Sequence, residues 1–284
     1  MQRGELTDSS FLPLNILNMS ALDGLLHRDV LEHHEELWSA LEAEITWEEV
    51  HHKGGLVPRL LSIQGEYSRS GPEPHEQVLP VYRHPMDDEP MLMPFSPTVR
   101  RIKEAIEGRL GLSPEQAFNH VLIQKYRGGA DFISEHADKT LDIAPDSVIA
   151  NYSLGSERVL TLRSKERRAE GDYEIINVLL PNNSVFCLDL AMNKRMRHSI
   201  HRQKQQSGAR ISLTFRRVAT FYHRATGQLT GQGAPKEVYH YVDPEAEYAR
   251  MLQAFRAENA QADFVWEEWY GKGFSVLPAM LRPI

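Results

Sequence analysis

The sequence has little that would direct the protein out of the cell or into a membrane. It contains one cysteine, Cys187, so an internal disulfide is excluded. Its longest apolar runs, such as residues 178–181, are far shorter than the roughly 20 residues that span a bilayer. No basic stretch followed by an apolar one stands at the amino end. These absences predict an intracellular protein of the cytoplasm or nucleus that does not contact membranes.

Positive charge is also scarce. The 32 Lys and Arg residues are outnumbered by 39 Asp and Glu residues, which leaves a formal net charge of −7. A strongly basic nucleic-acid binder gains a general attraction to phosphate that this chain lacks, so any contact with DNA or RNA needs a local basic patch. An apolar content of 41% is enough for an extended core, and 284 residues suit one catalytic domain with an appendage.

Residues 118–215 carry short β-rich runs that follow one another closely. Such spacing is typical of a sandwich or barrel, and not of alternating strands and helices. The runs are residues 119–126, 148–154, 158–163, 173–180, 184–190 and 210–215. Apolar residues at helical spacing predict one or two amphipathic helices over residues 22–47. Further helices are predicted after Ser96-Pro97 and after Asp243-Pro244, because Pro suits the first helical position.

His136 and Asp138 form a pair suited to metal binding. One residue separates them, so on extended backbone both side chains point to the same side and can share an ion. Two histidines and one carboxylate leave iron three open positions, enough for a bidentate oxo-acid and dioxygen. The third ligand of such a triad comes from a distant strand, for which His198 and His201 are both candidates. In a chain with 13 histidines, a chance pairing is the alternative.

The run R-I-S-L-T-F-R over residues 210–216 alternates strictly between apolar and polar side chains. Arg210 and Arg216 therefore share one face of a strand with two hydroxyl residues. If this face looks into a barrel, the guanidinium groups need anionic partners, because an unpaired buried charge is costly. A small dicarboxylate fits, since arginine binds carboxylates through two parallel hydrogen bonds. The alternative is a solvated edge strand.

Together these motifs resemble the AlkB family of Fe(II)- and 2-oxoglutarate-dependent dioxygenases, whose signature is HxD, a distant His and RxNxTxR. The similarity covers about residues 20–218 and includes the run F-N-H-V-L-I-Q-K-Y at residues 118–126. Counted back from Arg210, the family spacing falls on His198, with His201 in reserve. The resemblance implies an α+β fold with a mainly β core, a double-stranded β-helix (jelly-roll, cupin-like) with flanking helices and a substrate lid.

The resemblance also implies a set of ligands. Fe(II) is expected at His136, Asp138 and His198, with 2-oxoglutarate as cosubstrate and O2 as oxidant. The expected cosubstrate residues are Tyr126 and Arg210 at the distal carboxylate, Gln124 and Arg216 near the carboxylate that chelates iron, and Ser212 where the family has Asn. No catalytic residue is expected beyond the metal ligands.

The implied domain plan has three parts. An N-terminal tail at residues 1–21 precedes the oxygenase domain at 22–218, which has its lid at about 51–94 and its barrel at about 118–218. Residues 219–284 form a C-terminal helical and aromatic extension that resembles extensions on some fungal AlkB-like proteins. It is expected to pack on the core through Phe264, Trp266, Trp269, Tyr270 and Phe274. No chemical role is predicted for it.

Two substrate classes stay open. The first hypothesis is oxidative dealkylation of N-alkylated nucleobases in DNA or RNA, as in repair by demethylation, with the base flipped beneath the lid. The candidate substrate residues are Tyr82, Arg83, Arg59 and Thr140. The second hypothesis is oxidative tailoring of a small-molecule metabolite, which Thr140 favours because base-repairing relatives have an acidic residue there. A silent binding module is a third reading, which the intact motifs disfavour. No obligate protein partner is inferred.

Overall fold

The computed structural model describes residues 24–69, 71, 73, 76–203, 207–236 and 243–278, so the expected tail at residues 1–21 lies outside the described part.

Most of the regular structure is β. The strands are β1 (Leu26–Arg28), β2 (His51–His52), β3 (Gly55–Leu56), β4 (Leu60–Gly65), β5 (Ser68–Arg69), β6 (Gln77–Pro80), β7 (Leu92–Pro94), β8 (His120–Tyr126), β9 (Ile133–His136), β10 (Val148–Gly155), β11 (Arg158–Arg167), β12 (Tyr173–Leu180), β13 (Ser184–Asp189), β14 (Met196–Ile200), β15 (Arg210–Arg216), β16 (Thr220–His223) and β17 (Gln228–Gly231). The α-helices are α1 (Leu37–Glu44), α2 (Pro97–Leu110), α3 (Leu190–Arg195), α4 (Pro244–Ala260) and α5 (Trp266–Tyr270).

Two sheets pack face to face to form the β core. The major sheet has the order β1-β13-β10-β15-β8-β4-β7, and the minor sheet has the order β12-β11-β14-β9. Neighbouring strands are antiparallel except for β4 and β7. Apolar side chains such as Leu162, Val178 and Phe186 meet between the sheets. This arrangement confirms the sandwich or barrel that the strand spacing predicts and the double-stranded β-helix with flanking helices that the resemblance implies.

Helices α1 and α2 cover the outer face of the major sheet. Leu41 of α1 and Ile102 of α2 pack against Leu213 and Phe215 of β15, all of them fully buried. Because side chains alternate along a strand, the polar residues of β15 must then face the other way, between the two sheets. The outer helices thus determine which face of β15 forms the interior of the barrel.

The segment predicted to be helical over residues 22–47 is helical only in part. Leu26–Arg28 forms β1, which pairs with β13 at the register Leu26 to Phe186, and α1 begins at Leu37. The edge of β13 would otherwise present unpaired backbone N–H and C=O groups. Satisfying those groups outweighs a local helical spacing of apolar residues, which is a weak preference.

The described residues between 51 and 94 form hairpins and loops, as predicted, together with β4 and β7, which belong to the major sheet. The hairpin β2–β3 turns at Lys53 and Gly54, whose φ angles of 54° and 71° are the pair that a two-residue type I′ turn requires. Strand β6 joins the small sheet β17-β16-β6-β5. A separate apolar cluster that includes Val57, Ile63 and Leu79 lies beneath this region.

The C-terminal extension packs on the core through a fourth cluster. Leu141 of the core is fully buried against Met251, Phe255 and Tyr270 of α4 and α5. Within the described part of the chain, no helix combines the length and the apolar character needed to cross a membrane.

Candidate active site

Two neighbouring strands bring His136 and His198 together. His136 ends β9 and pairs across the strands with His198 of β14, so their ring centroids lie 4.3 Å apart. Asp138 is the second residue after the end of β9. Its Oδ1 lies 3.8 Å from His136 Nε2 and 3.9 Å from His198 Nε2. The three ligand atoms lie within 4.8 Å of one another, close enough to hold one metal ion.

Burial favours the neutral form of both histidines. The Nδ1 of His136 donates a hydrogen bond to the carbonyl oxygen of Ser134 at 2.8 Å, which leaves Nε2 as the free lone pair. Burial lowers the pKa of His136 well below its ordinary value and lowers that of His198 as well. Neutral imidazole is the species that coordinates metals, so these pKa shifts favour metal binding.

Asp138 is held as a carboxylate. Burial alone would raise its pKa, but the Arg216 guanidinium and the two imidazoles lower it below the ordinary value. Arg216 donates from Nη2 at 2.7 Å and from Nε at 3.1 Å to Oδ2, and so leaves Oδ1 facing the histidines. The Asn193 carboxamide bonds both the N–H and the C=O of Asp138, at 3.0 and 2.9 Å.

Arg210 lies between the sheets with spare hydrogen-bonding capacity. Its Nη2 donates to Asn151 Oδ1 at 3.1 Å and to Ser153 Oγ at 2.8 Å, and its guanidinium lies 5.3 Å from the Tyr126 ring. The buried Nε has no partner among the described residues. Burial lowers the pKa of Arg210 to about 10, the Tyr126 hydroxyl beside it acts in the opposite direction, and no carboxylate among the described residues acts on this pKa. A buried guanidinium without an anion is suited to an incoming carboxylate.

The inner face of β15 is continuous between the two arginines. Ser212 Oγ and Thr214 Oγ1 accept hydrogen bonds from Asn151 Nδ2 at 2.8 and 2.9 Å. Arg210, Ser212, Thr214 and Arg216 are all buried. A polar row therefore leads from the Asp138 side of the metal site to the free Nε of Arg210.

A family model described as the 2OG-Fe(II) oxygenase superfamily matches residues 19–216, which include the whole triad and all of β15. The chain belongs to this superfamily. Its cofactor is Fe(II), its cosubstrate 2-oxoglutarate and its oxidant O2. The residues present fit these groups: two neutral imidazoles and one carboxylate suit Fe(II), and the free Nε of Arg210 suits a carboxylate of 2-oxoglutarate.

Curated relatives of this oxygenase are AlkB-like proteins. The human "DNA oxidative demethylase ALKBH2" is 32% identical over 128 residues, which are 44% of this chain and 48% of the relative. The bovine "Alpha-ketoglutarate-dependent dioxygenase alkB homolog 3" is 28% identical over 169 residues, or 57% of this chain and 52% of the relative. "Uncharacterized protein R406" of Acanthamoeba polyphaga mimivirus is 32% identical over 127 residues, 44% of this chain and 61% of its own. The chain thus spans about half the length of the first of these relatives.

One cavity of about 730 Å³ joins the oxygenase triad to the inner face of β15. The hairpin β2–β3 and helix α4 contribute to its lining, and apolar walls come from Leu160, Leu180 and Ile200. Its exposed charged lining residues are the basic Lys53 and Arg256 and the acidic Asp87. The candidate metal site is therefore reached through a partly apolar chamber with two basic residues and one acidic residue at the solvent side.

The reserve ligand His201 lies apart from the triad. It is exposed, and its Nε2 lies 3.2 Å from Ser199 Oγ. Gln124 also departs from the predicted arrangement: it pairs across the sheet with Ser212, whereas Arg216 pairs with His120. The carboxamide of Gln124 accepts a hydrogen bond from Arg59, so it lies toward the Arg210 end of the strand.

Tyr82 and Arg59, two of the four candidate substrate residues, line the cavity. The Tyr82 ring lies 4.3 Å from the Arg216 guanidinium and stacks on His84 with centroids 5.4 Å apart. Arg59 donates from Nη1 to the carbonyl of Phe132 at 3.1 Å. Both side chains are thus fixed by the protein on the wall of the chamber.

Arg83 and Thr140 lie outside the lining of this cavity. The Arg83 guanidinium is fully buried and pairs with Asp142 at 2.6 Å, and it also donates to the carbonyls of Gly233, Phe274 and Val276. These contacts leave it no donor for a phosphate and argue against the predicted substrate role. The Thr140 hydroxyl donates to Glu258 of α4 and faces a second cavity. Its side chain is therefore engaged away from the metal.

Three asparagines organise the site without having been predicted. Asn151 bridges Ser212, Thr214 and Arg210, Asn193 holds Asp138, and Asn259 accepts from the N–H of Ala137. Asn151 lies on β10 at a position where the side chain points inward, and this position was only a weak indication in the sequence that it contributes to the site. Asn193 and Asn259 make contacts across 55 and 122 residues of sequence, and no motif marks either of them.

Proposed function

We propose that the protein is an Fe(II)- and 2-oxoglutarate-dependent dioxygenase that oxidatively removes alkyl groups from the nitrogen atoms of nucleobases in DNA or RNA. The observation that carries this proposal is the chamber that joins the His136-Asp138-His198 triad, the free Nε of Arg210 and a basic solvent side. The name of the human relative, a DNA oxidative demethylase, supports the substrate class.

The triad is the proposed iron site and the inner face of β15 the proposed cosubstrate site. Tyr126, Arg210 and Ser212 are assigned to 2-oxoglutarate at the end away from the metal, together with Gln124. Arg216 acts at the metal end, where it keeps Asp138 ionised and leaves one carboxylate oxygen for the ion. Apolar side chains of Leu160, Leu180 and Ile200 line the same chamber.

Bound Fe(II) and 2-oxoglutarate supply the activation of O2 that hydroxylates a C–H bond of the substrate. The protein residues hold the alkylated base beside the metal and keep its orientation. When the hydroxylated carbon is attached to nitrogen, the C–N bond breaks and releases an aldehyde and the free nitrogen. The stack of Tyr82 and His84 on the chamber wall offers an aromatic surface for a flipped base.

Two basic residues give the entrance its affinity for phosphate. Lys53 at the turn of the hairpin β2–β3 and Arg256 of α4 are exposed, and neither forms a salt bridge within the described residues. Of the acidic residues near them, Glu135 pairs with two arginines, whereas Asp87 accepts only from the N–H of Gly54 and forms no salt bridge among the described residues. Lys53 and Arg256 are the local basic groups that a chain with net charge −7 needs for phosphate.

The decisive experiment uses the purified chain with Fe(II), 2-oxoglutarate and oligonucleotides that carry N-methylated bases. Single- and double-stranded DNA and RNA are tested in parallel, and the mass of the oligonucleotide and the yield of succinate are measured. We expect loss of the methyl group with stoichiometric succinate, and neither from the His136→Ala variant. Absence of demethylation in every oligonucleotide would refute the proposed substrate class.

A second candidate function is the oxidation of a small-molecule metabolite by the same chemistry. It is favoured by Thr140, which supplies no acidic group beside the metal, and by the largely apolar walls of the chamber. A panel of metabolites in the same succinate assay separates the two candidates. Turnover of small molecules alone would replace the nucleic-acid proposal and would leave the iron and cosubstrate assignments intact.

A nucleic-acid substrate would place the protein in the cytoplasm or the nucleus. We also propose that residues 22–218 form the oxygenase domain and that residues 219–284 form an extension packed on it. The family match ends at residue 216, close to this boundary.

A further inference from the structure

The segment that follows β9 carries a metal ligand but is not part of a strand. Residues 137–143 therefore need other partners for their backbone polar groups, because buried N–H and C=O groups are almost always paired. Several of these partners are side chains of the C-terminal extension. Gln232 Nε2 donates to the carbonyls of Thr140, Leu141 and Ile143, and Trp266 Nε1 donates to the carbonyl of Thr140 at 3.1 Å.

Helix α4 contributes two adjacent residues to this support. Glu258 Oε1 accepts from the N–H of Thr140 at 2.9 Å. Asn259 Oδ1 accepts from the N–H of Ala137 at 2.8 Å and lies 3.3 Å from the Lys139 ammonium. Lys139 is itself buried and donates to the carbonyl of Ala137 at 2.6 Å. The Asn259 oxygen thus contacts both residues that flank Asp138, Ala137 through its N–H and Lys139 through its ammonium group.

Ala137 is the residue between the ligands His136 and Asp138. The orientation of its peptide N–H decides how the two flanking side chains leave the backbone, and Ala137 is 1% exposed, so this N–H depends on the acceptor that the protein supplies. Groups that orient metal ligands typically change metal affinity by roughly 10- to 100-fold when they are removed. Asn259 is such a group, because its oxygen accepts the hydrogen bond from the N–H of Ala137.

We propose that Asn259 is a positioning residue of the metal site, and that the C-terminal extension is through it part of the active centre. The same face of α4 lines the chamber with Tyr248, Leu252, Phe255 and Arg256, at the spacing of successive helical turns. Helix α4 therefore contacts the metal-binding segment at one end and the substrate chamber along its length. This inference rests on the iron site and not on the identity of the substrate.

Metal affinity provides a test that is independent of turnover. Mn(II) is titrated by calorimetry into the full chain with 2-oxoglutarate present, using wild type, Asn259→Leu and Asn259→Asp. The Leu variant keeps the volume but has no acceptor, and the Asp variant keeps an acceptor oxygen. We expect the Kd for Mn(II) to rise by about 10- to 100-fold in Asn259→Leu, with Asn259→Asp close to wild type.

Gln253 supplies the matched control, because it lies on α4 but is exposed and outside the chamber lining. Gln253→Leu is expected to bind Mn(II) as wild type does. Circular dichroism of the metal-free proteins checks folding, and Asn259→Ala replaces the Leu variant if that one does not fold. Wild-type affinity in the acceptor-free variant, or an equal loss in Asn259→Asp, would overturn the inference. Failure of the oligonucleotide assay would not affect it.

Discussion

At the scale of single residues, we propose that the buried Arg210 guanidinium is paired by a carboxylate of 2-oxoglutarate. Replacing it with methionine removes a guanidinium that has no anionic partner among the described residues. We predict that Arg210→Met weakens 2-oxoglutarate binding by about 2–5 kcal/mol, the range for truncating a buried charge pair. Calorimetric titration of 2-oxoglutarate into the Mn(II)-loaded protein measures this loss.

The melting temperature of metal-free Arg210→Met is expected not to fall, because an apolar side chain replaces an unpaired buried charge. Arg167→Met, at an exposed position on β11, is the control for removing one positive charge. Unchanged 2-oxoglutarate affinity in Arg210→Met would contradict the assignment of this end of the chamber.

Asp142 and Arg83 provide a prediction about stability. Their ion pair is fully buried, so Asp142→Asn leaves a guanidinium without its counter-charge. Breaking one side of a buried pair typically costs about 3–5 kcal/mol, and we expect a loss of that size in the free energy of unfolding. Urea denaturation at neutral pH measures it. The exposed Asp146, changed to Asn, should leave the midpoint where it is, and equal midpoints for both variants would show that the pair is not needed.

At the scale of elements, the entrance is built from the hairpin β2–β3 and helix α4. Charge reversal of Lys53 and Arg256 to glutamate should weaken oligonucleotide binding and reduce the salt dependence of the affinity by about one to two units of slope, since each phosphate contact contributes about 0.7–0.9. Fluorescence anisotropy over a series of salt concentrations measures both effects.

Arg28 and Arg109 supply a control with the same change in net charge. Both are exposed and outside the chamber lining, so their reversal to glutamate tests the general effect of a more negative protein. We expect a small, uniform weakening from this pair. If the two double variants lose the same affinity and slope, the entrance has no special role in phosphate binding.

Strand β15 shows what a local pattern can and cannot predict. The alternation of apolar and polar residues was evident in the sequence, but it left two alternatives open: a polar face inside a barrel or a polar face on a solvated edge strand. Packing of Leu213 and Phe215 under α1 and α2 made the choice, because it turned Arg210 and Arg216 inward. One or two helices were predicted over residues 22–47, but residues Leu26–Arg28 form a strand because they pair with the edge of β13. The α-helix begins only at Leu37.

At the scale of the whole molecule, Cys187 is a built-in reporter of unfolding. It lies in β13 between β1 and β10, and burial raises its pKa to about 11. At a pH below this pKa the group remains a thiol, which is the unreactive form. At pH 8 the native protein should therefore resist thiol reagents. Labelling followed with and without denaturant measures this, with one equivalent expected only on unfolding. Rapid labelling of the native protein would contradict the buried placement of β13.

The sequence by itself determined the chemistry of the centre and the class of fold. His136 and Asp138 lie two residues apart, and residues 210–216 alternate, so local spacing along extended backbone is enough to present a metal pair and a row of arginines and hydroxyls. Together with a distant histidine, these motifs are local patterns that can be read from the order of the residues. The family match over residues 19–216 confirms the oxygenase family that they implied.

Tertiary structure decided which distant residues complete the centre. The pairing of β14 with β9 brings His198 to His136 and leaves His201 exposed, which spacing alone could not settle. The buried Arg83 guanidinium forms its ion pair with Asp142. Helix α4 brings Asn259 into contact with Ala137, although the two residues are 122 positions apart in the sequence. The reason is physical: these roles depend on which buried polar groups need partners, and that is known only once the chain has folded.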